Sequence, residues 1–316
     1  MKEEFFQSSK FPKEAFQKLH ARDNFRGLVR FVVQFTILIT CAVLVVLHGK
    51  QDAWWTLWLP LLGFSVMTCG MFACLHETGH NTAFSSRGLN KIVAFLSAIV
   101  NLYTPSGFRD FHFEHHRYTH HPEKDPEISI AGKPAPGVIS SRFMYFGYLT
   151  GLPLIMAKSM FIFVAAIPMP EVVWKNTMPY VKKKNRGPMG WEARIVILLN
   201  VGIFALGWFG GYTGAYYLFL GYWIGHAILS IYLIPEHNGL PHKGSILERT
   251  RTIRTNPLLL YLMWNMPYHA EHHAFPAIPY HALPKLHALL KEHLVNEVDG
   301  YPRFHAKVLS GEIKSP

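Results

Sequence analysis

The sequence carries little charge. Only 16% of its 316 residues are Asp, Glu, Lys or Arg, whereas 50% are hydrophobic and 14% are aromatic. Ordinary soluble domains contain about 25% charged residues, so this composition indicates a membrane protein. The formal net charge is +11, but the basic residues flank the apolar segments and do not line one amphipathic face, so we expect no nucleic-acid partner.

Cysteine is also scarce. The three cysteines, Cys41, Cys69 and Cys74, all lie in apolar segments, and the sequence contains no C-x-x-C pair. This pattern excludes a disulfide framework and a cysteine zinc site. Residues 1–30 are polar and charged and lack the early apolar core of a cleaved signal peptide. We therefore expect the N-terminus to stay on the cytoplasmic side.

Long apolar runs occur in two pairs. Residues 28–47 and 53–75 can each cross a hydrocarbon core of about 30 Å, and a polar break at residues 49–52 separates them. Residues 195–208 and 215–235 form the second pair. Two further apolar stretches are interrupted or short, and we expect them to be interfacial or re-entrant: residues 92–103 and the kinked segment 143–168.

These runs predict an all-α integral membrane protein with two transmembrane helical hairpins (about four spans), interfacial helices and a cytoplasmic histidine-rich cap that holds a dimetal site. We expect one domain over residues 1–316. Its parts are a cytoplasmic N-terminal segment (1–27), the first hairpin (28–75), a histidine-rich region with interfacial segments (76–192), the second hairpin (193–235) and the cap (236–316).

The distribution of basic residues predicts the orientation. Six Lys and Arg residues lie within residues 10–30, before the first span, and a basic run at residues 182–186 precedes the third span. By the positive-inside rule, both segments are cytoplasmic. All histidine clusters then face the cytoplasmic side of a multi-pass protein in a bacterial inner membrane, a thylakoid membrane or the endoplasmic reticulum.

Histidine is abundant, with 19 residues, and it is concentrated in four clusters. On a helix, residues three and four apart share a face, so one cluster can direct two or three imidazoles at one point. Burying so many polar rings without metal or partners would be costly, so together the clusters predict a polynuclear metal site. The clusters are His76-Glu77-Thr78-Gly79-His80, His112-Phe113-Glu114-His115-His116, His237-Asn238-Gly239-Leu240-Pro241-His242 and His269-Ala270-Glu271-His272-His273.

Each cluster also carries a carboxylate. A ligating imidazole usually donates its other ring proton to a carboxylate or a carbonyl, which fixes its tautomer. We expect four glutamates to act in this way: Glu77, Glu114, Glu236 and Glu271. Asp110, Asp125 and Glu127 are weaker candidates.

The first, second and fourth clusters resemble the three histidine boxes of membrane fatty acid desaturases and related hydroxylases. The resemblance extends from the first hairpin to about Leu286. Leu240-Pro241-His242 and the segment 272–281 are similar to motifs of the acyl-lipid branch. The first box departs from the wording of plant and cyanobacterial acyl desaturases, because it has Glu-Thr-Gly where they have Asp-Cys-Gly.

The resemblance implies an oxygen-dependent acyl-lipid desaturase that uses two histidine-bound iron ions and O2 to remove hydrogen from unactivated C–H bonds. It implies eight ligands: His76, His80, His112, His115, His116, His269, His272 and His273. One more ligand is either His242, with Asn238 reaching the metal through water, or His237. The sequence contains no haem domain, so electrons would come from a separate donor of the ferredoxin or cytochrome b5 type.

Three other functions would use part of the same pattern. A hydroxylase or ketolase of a carotenoid or another lipid would use the same centre. A zinc metalloprotease would use His76-Glu77-x-x-His80, but the only Asp-Gly pair that could supply its third ligand is Asp299-Gly300 in the polar C-terminal part. A metal transporter would need ionisable residues along the spans, which contain scarcely any except His226.

Overall fold

The computed structural model describes residues 13–48 and 55–316, and within them the chain is mostly helical. The helices are α1 (Lys13–Leu19), α2 (Asn24–Leu47), α3 (Trp55–His80), α4 (Arg87–Val100), α5 (Pro105–Tyr118), α6 (Arg142–Leu149), α7 (Leu152–Ala166), α8 (Glu171–Thr177), α9 (Lys183–Trp208), α10 (Tyr216–His237), α11 (Pro257–Leu262), α12 (His269–Ala274), α13 (Leu283–Leu290) and α14 (Tyr301–Ser310). The strands are β1 (Ser129–Ile130), β2 (Lys133–Pro134), β3 (Thr252–Arg254) and β4 (Glu297–Asp299).

Four helical segments of the described chain are long and apolar enough to cross a membrane. They are Phe16–Leu47, Trp55–His80, Lys183–Trp208 and Thr213–His237. The prediction of an all-α membrane protein with about four spans is therefore confirmed. The predicted polar break at residues 49–52 lies outside the described residues.

Helix α3 is the central helix. It packs against α2, α10 and α4, and nearly all of its residues from Met67 to Gly79 are buried. By contrast, α2 and α9 expose apolar side chains such as Ile39 and Leu198. In a bilayer these faces contact lipid tails, which is where an exposed apolar helix face is stable. The histidines at the end of α3 therefore emerge from the most enclosed part of the molecule.

The starts of α2 and α9 are set by polar residues that precede the apolar runs. The Asp23 side chain caps α2 by accepting hydrogen bonds from the backbone N–H groups of Phe25 and Arg26, which satisfies donors that a helix leaves free at its first turn. Helix α9 begins at Lys183, ahead of the apolar run at residue 195. Its first turns are polar, so hydropathy alone does not reveal them.

The segment predicted to be kinked is a pair of helices, α6 and α7, that meet at a bend of 65°. The break lies at Gly151, whose φ of +72° is in the left-handed region. A Cβ atom there would lie 2.3 Å from the backbone nitrogen of Ala227 on α10. Glycine is required both for the turn and for this close approach.

Two sets of contacts hold the polar cap together and attach it to the first span. Strand β3 pairs in parallel with β4, which joins the segment after α10 to the segment before α14. The buried Gln34 side chain of α2 donates to the carbonyl of Leu262 at 2.9 Å and accepts from the Trp264 indole N–H at 2.9 Å. One amide side chain therefore satisfies two groups of the cap at once.

Replacing this amide tests how strongly the cap depends on the first span. We expect Gln34→Leu to lower the free energy of unfolding by about 1–3 kcal/mol, because it leaves the Trp264 N–H and the Leu262 carbonyl buried without partners. The midpoint of thermal unfolding in detergent measures the effect. Gln17→Leu, at an exposed glutamine of α1, is the matched control, and an equal shift in both variants would contradict the assignment.

Candidate dimetal centre

Four helices bring the histidines together. His76 and His80 lie one turn apart at the end of α3, and His237 ends α10. Helix α5 contributes the second cluster and the short helix α12 the last. Because α3 and α10 pack side by side in the core, their ends lie close together, and α5 and α12 complete the enclosure.

The first metal-competent group contains five histidines. Each offers one ring nitrogen, and these nitrogens all lie within 4.8 Å of one another. The group consists of His76, His80, His112, His116 and His272. Nε2 of His112 lies 2.8 Å from Nε2 of His80 and 3.0 Å from Nε2 of His116.

The second group lies beside the first and is fully buried. It consists of His115, His237, His269 and His273, whose ligand nitrogens also lie within 4.8 Å of one another. Nε2 of His269 is 2.9 Å from Nε2 of His237. The rings of His116 and His273 stack with centroids 4.1 Å apart, so the two groups are in direct contact.

The chemistry of these residues fits two metal ions. Ring nitrogens that face each other at 2.8–3.2 Å cannot all be satisfied by sharing protons, because neutral imidazole has one donor and one acceptor. Both ring nitrogens of His76 and Nε2 of His273 are buried without a hydrogen-bond partner. Burial, together with the neighbouring imidazoles, holds the pKa of His112 and His116 well below its usual range. Both rings are therefore neutral, which is the form that binds a metal.

Three of the four predicted carboxylates are buried beside the histidines. Glu77 accepts from the Thr82 hydroxyl at 2.9 Å and from the Tyr280 backbone N–H at 3.1 Å, and its other oxygen lies 3.9 Å from Nδ1 of His76. An oxygen of Glu236 lies 3.5 Å from Nδ1 of His269. Both carboxylates therefore lie beside a ring, but neither makes a hydrogen bond to it.

Glu271 has a different role. Although it lies between His269 and His272 in sequence, it accepts from the Thr252 hydroxyl and pairs with Nδ1 of His287. The carboxylate is fully buried. It therefore fastens α12 to β3 and α13 and holds the backbone that carries three histidines.

The structure does not bring Glu114 into the site. Glu114 pairs with Arg117 at 3.1 Å on the outer face of α5. Position 114 is two residues from His112 and His116, which places it on the opposite side of the helix. The carboxylates that reach this cluster come from the following loop instead: Asp125 and Glu127 lie 3.0 Å and 2.9 Å from Nδ1 of His115.

The structure also separates the two candidates for the remaining ligand. Nδ1 of His237 contacts the Arg249 carbonyl at 3.0 Å, so its Nε2 faces the second group. His242 lies outside both groups, and its Nδ1 contacts the His120 carbonyl at 3.0 Å. The Asn238 side chain donates to the Ile234 carbonyl at 3.0 Å and belongs to neither group. His237 is the histidine of this cluster that the fold brings to the other eight.

Several supporting residues have no counterpart in the sequence motifs. The Thr119 hydroxyl lies 3.2 Å from Nδ1 of His273, and Arg249 donates to the Thr119 carbonyl at 2.6 Å. Thr252 and His287 hold Glu271. Thr119 follows the second cluster directly, but its partner His273 lies 154 residues away, so no spacing could have indicated this contact.

Two openings reach the site from different sides. The first has a volume of about 290 Å³ and is lined by His237, Glu127 and apolar residues such as Tyr148 and Leu233. The second has a volume of about 720 Å³ and reaches His80. The centre is therefore enclosed but accessible at two points.

The sequence was compared with known proteins. The sequence model of the family described as Fatty acid desaturase matches residues 53–305. The rat protein named Sphingolipid delta(4)-desaturase/C4-monooxygenase DES2 is 23% identical over 292 residues, covering 89% of this chain and 78% of that protein. The Drosophila melanogaster protein Sphingolipid delta(4)-desaturase DES1 is 26% identical over 293 residues, with coverage of 90% and 79%. Dihydrorhizobitoxine desaturase of Bradyrhizobium elkanii is 21% identical over 283 residues, with coverage of 83% and 74%.

The link between His287 and Glu271 predicts a pH-dependent contribution to stability. The hydrogen bond to Glu271 raises the pKa of His287 in the folded protein, although burial opposes this. The stabilisation is then complete below the unfolded pKa of about 6.5 and declines as the pH rises through the higher folded value. We expect the difference in Tm between wild type and His287→Ala to be largest near about pH 6 and to shrink towards about pH 9. A difference that does not change with pH would contradict this.

Proposed function

Because the chain belongs to the fatty acid desaturase family, we propose that this integral membrane oxidoreductase introduces a C=C bond into an acyl chain of a lipid at two histidine-bound iron ions. The observation that carries the proposal is the convergence of nine histidines into two adjacent groups, each with ligand nitrogens within 4.8 Å of one another. Imidazole is a ligand suited to iron, and the family acts on lipids.

We assign one iron to each group. The first would be held by His76, His80, His112, His116 and His272, and the second by His115, His237, His269 and His273. The preference for His237 over His242 is supported by its contact with His269 at 2.9 Å. Asn238 remains a candidate for a water-mediated contact, because it lines the opening beside His237.

When bound, the two irons would supply the activation of dioxygen that removes two hydrogens from adjacent carbons. The residues of the chain position the ligands and limit the access of water. Asp125 orients the ring of His115, and Glu271 holds α12 in place. Glu77 and Glu236 lie beside His76 and His269. Seven of the nine rings are buried and the other two are only partly exposed, which limits the access of bulk water and protects a reactive oxidant from side reactions.

The reaction fixes what must come from outside. A –CH2–CH2– unit loses two protons and two electrons, and O2 takes up four electrons and four protons to form two molecules of water. Two electrons and two protons are therefore supplied by other molecules. We propose a separate donor protein of the ferredoxin or cytochrome b5 type. We also propose that the centre faces the cytoplasm, because the basic segments flank its side of the spans.

Two observations bear on the substrate. The rat and fly relatives are named for sphingolipids, and the opening beside His237 combines polar groups with apolar walls. We propose a lipid with a long acyl or alkyl chain and a polar group near the modified carbons. Hydroxylation is the second candidate, because the name of the rat relative includes C4-monooxygenase.

The protease alternative is disfavoured by the position of Glu77. A general base must be free to face a water molecule on the metal. Glu77 is fully buried and engaged by Thr82 and Tyr280. The family match also supports an oxidoreductase.

Metal content is the direct test of the centre. We expect about two iron ions per chain in protein purified in detergent, and we expect His115→Ala and His272→Ala to lose iron and activity, because each removes a ligand of one group. Elemental mass spectrometry measures the iron. His237→Ala should also lose iron, whereas His242→Ala and the exposed control His20→Ala should retain it. One zinc and no iron would contradict the proposal.

Lipid analysis tests the reaction. Expression in a host should produce lipids with two hydrogens fewer than the host's own, and His272→Ala should abolish them. Mass spectrometry of total lipids, compared with an empty-vector control, detects the products. Lipids that gain one oxygen instead would select hydroxylation, and an unchanged profile in hosts supplied with both acyl lipids and sphingolipids would contradict a lipid-modifying function.

A further inference from the structure

The larger opening leads from the surface to the first histidine group. We name it the basic mouth and define it by His80 at its base and by Arg22, Arg87 and Lys91 at its rim. His80 is one of the two histidines of the first group that remain partly exposed, whereas His76, His112 and His272 are buried. Of the residues that line this opening, His80 alone belongs to the centre.

The rim carries uncompensated positive charge. Arg22, Arg87 and Lys91 are exposed, and none of them has an ion-pair partner among residues 13–48 and 55–316. Arg87 and Lys91 lie four residues apart on α4, so they share one face of the helix. Three cations around one opening create a field that attracts an acidic surface.

The other charged residues of the mouth are already engaged. The Glu192 carboxylate accepts from the Ser106 backbone N–H at 3.0 Å and from its hydroxyl at 2.7 Å. Arg109 donates to the Gly79 carbonyl and lies over the Phe113 ring at 4.6 Å. Glu192 is thus held at the wall, and the rim keeps its net positive charge.

His80 connects the mouth to the interior of the centre. Its Nε2 lies 2.8 Å from Nε2 of His112, and its ring packs at 4.7 Å from the rings of His116 and His272. An electron that arrives at His80 has therefore reached the ligands of the first iron without crossing a further layer of protein.

We propose that the basic mouth is the docking surface for an acidic one-electron carrier protein, which delivers electrons to the centre through His80. This inference rests on the proposed function, in which each turnover takes two electrons from outside. The carrier is oxidised by one electron in each of two encounters, and the protons come from water. Opposite charge favours the encounter and its orientation, and the contacts of His80 with the other histidines of the first group provide the transfer path.

Charge reversal at the rim tests the proposal. The double variant Arg87→Glu/Lys91→Glu changes two exposed side chains that touch no histidine of the centre. We expect its kcat/KM for an acidic [2Fe–2S] ferredoxin or a soluble cytochrome b5 domain to fall about tenfold, with less dependence on salt. Turnover driven by dithionite and methyl viologen should stay unchanged, because small reductants need no docking surface.

A matched control carries the same change of charge elsewhere. Lys183→Glu/Lys184→Glu alters two exposed lysines at the start of α9 and should leave both rates unchanged. Equal losses in the two double variants would show a general effect of net charge and would overturn the proposal. A loss with the small reductant too, accompanied by a higher KM for the lipid, would assign the mouth to a lipid head group and would also overturn it.

Binding separates this proposal from the proposed function. The affinity of the two acidic proteins for the chain as purified, in nanodiscs of neutral lipid and without turnover, does not depend on catalysis. Biolayer interferometry should show weaker binding to the rim variant than to wild type and to the Lys183/Lys184 control. Equal affinities for the rim variant and wild type would refute the docking surface even if the enzyme is active. Weaker binding to the rim variant, combined with the absence of a lipid product, would support the docking surface and refute the desaturase function.

Discussion

The structure depends on one constraint, which is that nine imidazoles share an enclosed space with ring nitrogens facing one another. Such an arrangement is unfavourable by itself, because buried ring nitrogens without partners have lost the hydrogen bonds they made to water. Only a shared positive charge at the centre of each group satisfies all the lone pairs together. The rest of the molecule holds the rings in place so that such a charge can enter.

The need to hold the rings in place explains the hydrogen bonds that surround them. Asp125 holds His115, and Thr119 contacts His273, while Glu271 fixes the helix that carries three of the rings. None of these contacts lies in the bilayer-facing surface, which is apolar and simple by comparison. Hydrogen bonds from surrounding residues fix the orientation of the ligands, and this gives a metal site a defined coordination geometry.

The sequence predicts the spans and identifies most of the histidines that the fold brings together, because both are local patterns. Apolar runs of about 20 residues identify α2, α3 and α10, and the spacing of three and four places His76 with His80 on one helix face. Other features differ from the expectation. Glu114 faces outwards because it is two residues from His112 and His116, which the helix period alone could have shown. By contrast, tertiary contacts bring His237 to the centre instead of His242. His287 is a further example, since its partner Glu271 becomes a neighbour only through the packing of α13 on α12.

The division of the ligands among distant segments has a consequence for maturation. His76 and His80 end the second span, but His237 and His269 follow the fourth, so neither group can form until both hairpins are inserted and the cap has folded over them. A metal that needs a complete group would therefore bind only at the end of assembly. A chain with only the first hairpin inserted has incomplete sets of imidazoles exposed. Exposed imidazoles therefore distinguish an incompletely inserted chain from a folded one.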